Sequence, residues 1–376
     1  MMISKRTMKN VMSSIKVICI QFLASIFFFF FIDLIYTKFF LPDITNQYTN
    51  NEQQYRIEHK NFHHTLAPSY RGLARWGDVE YEVCTDPNGF KAACKDINNK
   101  QIAFDVAFIG DSFTEAIGME YQDSFVGMYA NKNPNMAIAN LGVSSYSPSV
   151  YFTKISWLLK QGYHFNHVYA FIDISDVQDE SEYFRNDSGD LLIASEQDDN
   201  DHSSISVKEI KAFIQENFYI FTIGYFYVKS IFADDEKKLY RELFNFERSA
   251  WTYNLNSTGY GELGAKGYIE KSLAEMRALH NLLDSNGIKL SVGVYPWPAQ
   301  LVEMKDNDSE NAQSIIWSQF CEQRCERFVD LFPIYQLLVD RYGVDAVYDK
   351  YFIRGDVHYN IDGNKLIYSE ITKSGT

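Results

Sequence analysis

Positive charge is in short supply in this sequence. Its 35 Lys and Arg stand against 49 Asp and Glu, for a net charge of -14 over 376 residues. Four of the positive side chains (Lys5, Arg6, Lys9, Lys16) fall in the first sixteen residues, so the remainder is more acidic still. Such a body does not suit a phosphate backbone or an anionic membrane face, which excludes nucleic acid as its partner. Cysteine is also scarce. Of the five, Cys19 lies in an apolar stretch, and the others form two local pairs, Cys84 with Cys94 and Cys321 with Cys325. Neither pair has the two-residue spacing of a zinc knuckle, which counts against a metal centre. No internal repeat is present.

Apolar residues, by contrast, are plentiful: 46% of the chain is hydrophobic and 16% aromatic, with 26 Tyr and 29 Phe. That suffices for a sizeable core, and aromatic surfaces also suit sugar rings. The stretch VICIQFLASIFFFFFIDLIY, 17–36, has the length of a bilayer-crossing helix, and Asp33 is its only charge. A basic flank precedes it, so the positive-inside rule leaves residues 1–16 as a cytoplasmic tail. A cleaved signal peptide is the competing reading, and a buried core helix a third. No small-x-small pair follows the phenylalanine run, which favours an uncleaved, single-pass anchor. The body is then expected outside the cytoplasm, tethered to the cell inner membrane. In that setting four cysteines suggest disulfides, and of the three connectivities local pairing is expected.

Residues 37–58 are polar and aperiodic and read as a stalk. Residues 59–100 read as a loop-rich lead-in lobe clasped by Cys84 and Cys94. From 101 to 376, short apolar runs alternate with helical patterns. FDVAFI, AIANL, HVYAFID, KLSVGVY and RFVDLF are strand candidates. Pro148 after Ser147 opens one helix, and a second pattern stops at Gly287. Apolar strands separated by helices predict an α/β fold with a parallel sheet covered on both faces. Ligands of such sheets bind beyond the carboxyl ends of the strands. Asp187 to Asp201 is acidic and Ser-rich and reads as a loop. The aromatic insertion, about 185–267, has no assigned role.

Candidate chemistry lies at those strand ends. Gly110-Asp111-Ser112 follows the first body strand, Asn140-Leu141-Gly142 the second, and Asp173-Ile174-Ser175-Asp176 the third. Asp356-Val357-His358 lies near the C-terminus. A serine nucleophile needs a base, and the base needs an orienting acid. His358 and Asp356 fill these roles, since in an extended segment positions two apart project to one side. The backbone N–H groups of Ser112 and Gly142 are candidate oxyanion donors. The alternatives are ordinary: Ser112 as a helix cap, and His358 as a surface histidine. Asp173, Asp176, Asp179 and Glu180 read as a solvated acidic loop rather than a metal site. His59, His63 and His64 have helical spacing that suits a metal, but a structural role is favoured. Trp297 either lines the cleft or packs beneath a proline turn, and Tyr146 and Trp251 are weaker candidates for sugar stacking.

The blocks GDSFT, Gly142 in NLG, and DVH, in that order over about 104–371, resemble the SGNH (GDSL-like) hydrolase superfamily. The resemblance implies a flavodoxin-like three-layer fold. It also implies ester hydrolysis or acyl transfer by Ser112, His358 and Asp356, without a cofactor. The common spacing of the last block is D-x-x-H. The shorter D-x-H resembles the extracytoplasmic polysaccharide O-acetyltransferases. Ser175 stands where the family's oxyanion asparagine falls. Asp111, Asn140, Tyr146, Asp173 and Trp297 complete the expected substrate-facing set. The expected partner is an acylated glycan, with a membrane acyl-donor protein as a further one. The other expectations are a non-catalytic glycan-binding subunit and a lipid esterase or thioesterase.

Overall fold

The structure is a computed structural model. It describes residues 5–40, 55–76, 79–186, 189–193, 213–214, 217–221, 224, 246–306 and 311–373. The chain divides into two compact units, Met1–Asn50 with His202–Glu236, and Asn51–Asp201 with Lys237–Thr376.

In the smaller unit one helix runs from Lys5 to Phe40. Within it, the 24 residues Lys16–Phe39 are long and apolar enough to cross a membrane. At 1.5 Å per residue they extend about 36 Å, which exceeds a hydrocarbon core of about 30 Å. Most of the expected stalk lies outside the described residues.

The larger unit opens with two antiparallel hairpins. β1 (Arg56–His59) pairs with β2 (His63–Leu66), and β3 (Arg71–Trp76) with β4 (Val79–Cys84). The lead-in lobe is therefore more ordered than its loop-like composition suggested. Disulfides join Cys84 to Cys94 and Cys321 to Cys325, the local pairing expected.

The central sheet has five parallel strands: β5 (Ala103–Ile109), β6 (Ile138–Asn140), β7 (His164–Ile172), β10 (Lys289–Val294) and β11 (Arg327–Asp330). Between β7 and β10 the short strands β8 (Tyr183–Arg185) and β9 (Leu191–Ile193) form a separate antiparallel pair. So part of the stretch read as an acidic loop is a strand. The sheet order is β6-β5-β7-β10-β11. This is the doubly wound, flavodoxin-like order, whose switch point lies between β5 and β7.

Both faces are covered, and the strands show why. β5 sends Ala107 and Ile109 into one apolar cluster and Val106 and Phe108 into the other. β7 does the same with Val168, Ala170 and Ile172 against Tyr169 and Phe171. Alternation places successive side chains on opposite faces, so a strand buried on both sides must be apolar throughout. Helices Pro148–Lys160, Gly264–Ser285 and Ala312–Cys321 contribute to the first cluster. Phe125–Lys132, Phe332–Tyr342, Val344–Tyr351 and Ile361–Thr372 contribute to the second.

Candidate active site

At the end of β5 the chain turns through Gly110 and Asp111 into the short helix Ser112–Glu115. Gly110 has no room for a side chain: an added Cβ would lie 2.2 Å from Thr114 Oγ1 and 3.0 Å from the Phe171 carbonyl oxygen. The cap of this helix is Asp111, whose carboxylate accepts from the Phe113 N–H at 3.0 Å. Ser112 is thus not the cap, and its hydroxyl lies 3.3 Å from Asp111 Oδ2 as well as facing a histidine.

It meets His358. Ser112 Oγ lies 2.8 Å from His358 Nε2. On the far side of the ring, His358 Nδ1 contacts Asp356 Oδ1, which also accepts from the His358 backbone N–H at 2.8 Å. With Nδ1 facing a carboxylate, the neutral ring carries its proton there, and Nε2 accepts the serine hydroxyl. A tight turn, not an extended segment, creates this geometry: the Asp356 N–H donates to the Ile353 carbonyl at 3.0 Å. The Tyr348 hydroxyl accepts from the Gly355 and Asp356 N–H groups at 2.7 and 3.1 Å.

Asp356 has another partner that sequence reasoning missed. The Trp76 indole N–H donates to its Oδ2 at 2.9 Å, and the Trp76 ring stands edge-on to His358 at 5.3 Å. Burial alone would raise the Asp356 carboxyl. Its bonds with His358, the attraction of that ring, and the Trp76 donor hold it below the usual carboxylate range. Phe113 also packs against the imidazole, with ring centres 4.6 Å apart.

The five residues expected to touch substrate have a different place. Asp111, Asn140, Tyr146, Asp173 and Trp297 are all buried, each at most 3% exposed. Their polar groups are engaged within the protein. The Asn140 amide donates to the Thr114 carbonyl at 2.8 Å and accepts from the Gly142 N–H at 3.0 Å. The Tyr146 hydroxyl donates to the His64 carbonyl at 2.6 Å, beneath the lead-in lobe. The Trp297 indole donates to Asp173 Oδ2 at 2.6 Å. Trp251, also buried, donates its indole N–H to the Ile174 carbonyl at 3.0 Å. Of the oxyanion candidates, Gly142 gives its N–H to Asn140, and the Ser175 hydroxyl donates to Asp179 Oδ2 at 3.3 Å.

Nor is the third block a solvated acidic loop. Asp173, Asp176, Asp179 and Glu180 are buried. Glu180 accepts from Ser147 Oγ, Ser149 N–H and Ser149 Oγ at 2.6–2.8 Å, and pairs with Lys271 at 3.1 Å. Asp179 pairs with Arg248 at 3.3 Å, yet burial pushes its carboxyl up to about 7. Asp111, Asp173 and Asp176 each bring a carboxylate oxygen within 4.8 Å of the others, the donor grouping of a cation site. Burial raises all three carboxyls, and for Asp111 and Asp176 mutual repulsion adds to it, which favours the protonated acids. Neutral donors surround them, with Tyr295 on Asp111 at 3.2 Å and Tyr151 on Asp176 at 2.9 Å.

The β1–β2 hairpin, which begins at Arg56 inside the stretch expected to be stalk, buttresses the loop that follows the glycine block. Arg56 makes two 2.8 Å bonds to Glu115, whose Oε2 also accepts from the Ser144 N–H at 2.7 Å. His64 Nε2 lies 2.8 Å from the Ser144 carbonyl. Burial lowers His64 to about 3, so it stays neutral and donates to that oxygen. Its other ring nitrogen faces His63, and His59 stacks on Phe62 at 3.6 Å.

Fold and site together define a doubly wound α/β protein with a serine–histidine–aspartate array at its switch point. No family model and no curated protein sequence matches the chain. Among solved structures it is similar to a putative lipolytic protein of the G-D-S-L family from Desulfitobacterium hafniense. That pair has 12% identity and a TM-score of 0.36, covering 72% of this chain and 98% of that one. It is similar to the psychrotrophic esterase EstA from Pseudoalteromonas sp. at 10% identity and a TM-score of 0.36, covering 73% and 96%. It is also similar to Axe2, an acetylxylan esterase from Geobacillus stearothermophilus, at 11% identity and a TM-score of 0.38, covering 71% and 92%.

Proposed function

We propose that the chain is an SGNH-type serine esterase or O-acyltransferase. In this reading it acts on acyl, chiefly acetyl, esters of a cell-surface glycan, from the outer face of the inner membrane. The observation that carries the chemistry is the 2.8 Å contact of Ser112 Oγ with His358 Nε2, with Asp356 on the opposite ring nitrogen. Ser112 attacks the acyl carbonyl while His358 Nε2 takes the hydroxyl proton. Asp356, held anionic, stabilises the imidazolium that results. The tetrahedral intermediate collapses as His358 returns the proton to the departing alkoxide, leaving an acyl-Ser112 ester. Water or a sugar hydroxyl then attacks that ester as His358 takes its proton, the acyl–Oγ bond breaks, and His358 returns the proton to Ser112. The Ser112 N–H, in the first helical turn, has no intrahelical acceptor and serves as an oxyanion donor.

The glycan and the anchor enter from the sequence. A D-x-H block supports a polysaccharide acyl substrate, and the apolar helix supports tethering beside a membrane acyl donor. A second reading, a non-catalytic glycan-binding subunit, is favoured by one observation. Gly142 N–H and Ser175 Oγ are both engaged with neighbouring side chains.

An activated acetyl ester separates the two. Incubation should add one acetyl group to Ser112, read by mass spectrometry, and Ser112→Ala should lower turnover by about 10⁴-fold or more. Unchanged turnover in Ser112→Ala would defeat the enzymatic reading. Activity rising with acyl-chain length would instead favour a lipid esterase or thioesterase.

A further inference from the structure

We propose that the insertion returns to the membrane: Phe218, Ile220 and Phe221 lie in its outer half, docked on the anchoring helix through Asp33. The inference rests on the reading of that helix as a membrane span.

Along the helix from Phe31 to Phe39 only Asp33 and Thr37 are buried, while Phe31, Ile32, Ile35, Tyr36 and Phe39 are exposed. Positions four apart share one helix face. The two polar residues therefore form a single stripe, and the chain covers that stripe with residues more than 180 positions later. The Ile220 N–H donates to Asp33 Oδ1 at 2.9 Å and the Phe221 N–H to Oδ2 at 2.8 Å. The Tyr219 N–H donates to Thr37 Oγ1 at 3.0 Å, and the Thr37 hydroxyl donates to Asp33 Oδ1 at 3.3 Å. The Phe30 ring lies 5.2 Å from both Phe218 and Phe221.

Each half of this contact needs the other in hydrocarbon. A carboxylate there requires donors, and free backbone amides require acceptors. Asp33 lies six residues inside the end of the apolar span at Phe39, about 9 Å along the helix. That places the contact below the surface of the apolar layer. Beside the contact the side chains of Ile220 and Phe221 are exposed, at 39% and 36%. The sequence 217–228, NFYIFTIGYFYV, holds no charged residue.

The test uses full-length chains carrying Cys19→Ser with either Phe221→Cys or Thr258→Cys, in intact membranes treated with a membrane-impermeant maleimide. Thr258→Cys, on an exposed turn of the larger unit, should react at once. Phe221→Cys should react only after SDS. Equal labelling of both in intact membranes overturns the proposal. Adding Asp33→Leu should make Phe221→Cys reactive, and protection that survives this change overturns docking through Asp33. Failure of the anchor reading is distinguishable, because the whole chain would then leave the membrane on alkaline carbonate washing.

Discussion

The Trp76 indole N–H donates to Asp356 Oδ2 at 2.9 Å, joining residues 280 positions apart. Asp356 Oδ1 is occupied by His358, so Trp76 is what holds the other oxygen. Trp76→Phe keeps an aromatic ring and removes the donor. A hydrogen bond to a charged group is worth about 1.5–3 kcal/mol, so kcat should fall roughly 10- to 100-fold with KM little changed. The missing donor also lets the Asp356 carboxyl rise, so the acid limb of the pH–rate profile should move to higher pH. A loss of stability with an unmoved acid limb would show that Trp76 only fills space.

Asp356→Asn should lower kcat/KM by about 10⁴-fold, since the amide cannot stabilise the imidazolium. It also has a stability signature. The folded Asp356 carboxyl lies below its ordinary 3.8, so it stabilises the fold above that pH. The contribution is lost as pH falls through the lower, folded value. Denaturation midpoints of the variant and parent should differ at pH 7 and converge below about pH 3.8.

Arg56→Ala leaves Glu115, whose side chain is 3% exposed, without its hydrogen-bonded ion-pair partner. Breaking a buried pair from one side costs about 3–5 kcal/mol. Urea denaturation should show a loss of this order, and Arg56→Ala combined with Glu115→Gln should recover part of it. Because Glu115 also holds the Ser144 N–H, catalysis should weaken in the single variant even where the fold persists.

Lys154 is fully buried, its ammonium donating to the Leu141 carbonyl at 3.0 Å and the Tyr146 hydroxyl at 3.2 Å. Burial lowers it from 10.5 to about 7, with Glu115 and Asp86 opposing. Between those values the unfolded chain binds a proton that the folded one does not, so stability rises with pH. Lys154→Met should remove about one proton's worth of this slope. Chemical denaturation from pH 6 to 10 reads it, and an unchanged slope would sink the assignment.

Much of the site was legible in the sequence because its parts are local. FDVAFI, HVYAFID and KLSVGVY show a sheet buried on both faces, and GDS marks the strand end where a ligand would bind. Local chemistry also linked Cys84 with Cys94 and Asp356 with His358. The errors concerned burial. Asp173, Asp176 and Glu180 look like a wet acidic loop, since charge is ordinarily exposed, and only Tyr151, Trp297, Lys271 and the serines around them make burial tolerable. Tyr146 looks like a sugar platform until the hairpin bearing His64 covers it.

By itself the sequence determined the layer architecture, the apolar N-terminal span and the order of the chemical blocks. These follow from periodicity and residue type, which act over one or two turns of chain. Only the tertiary structure decided that Asp111 caps the helix, that Ser112 meets His358, that Trp76 reaches Asp356, and that Asp33 binds the insertion. Each of these turns on which donor meets which acceptor across long stretches of chain, and sequence spacing does not encode that distance.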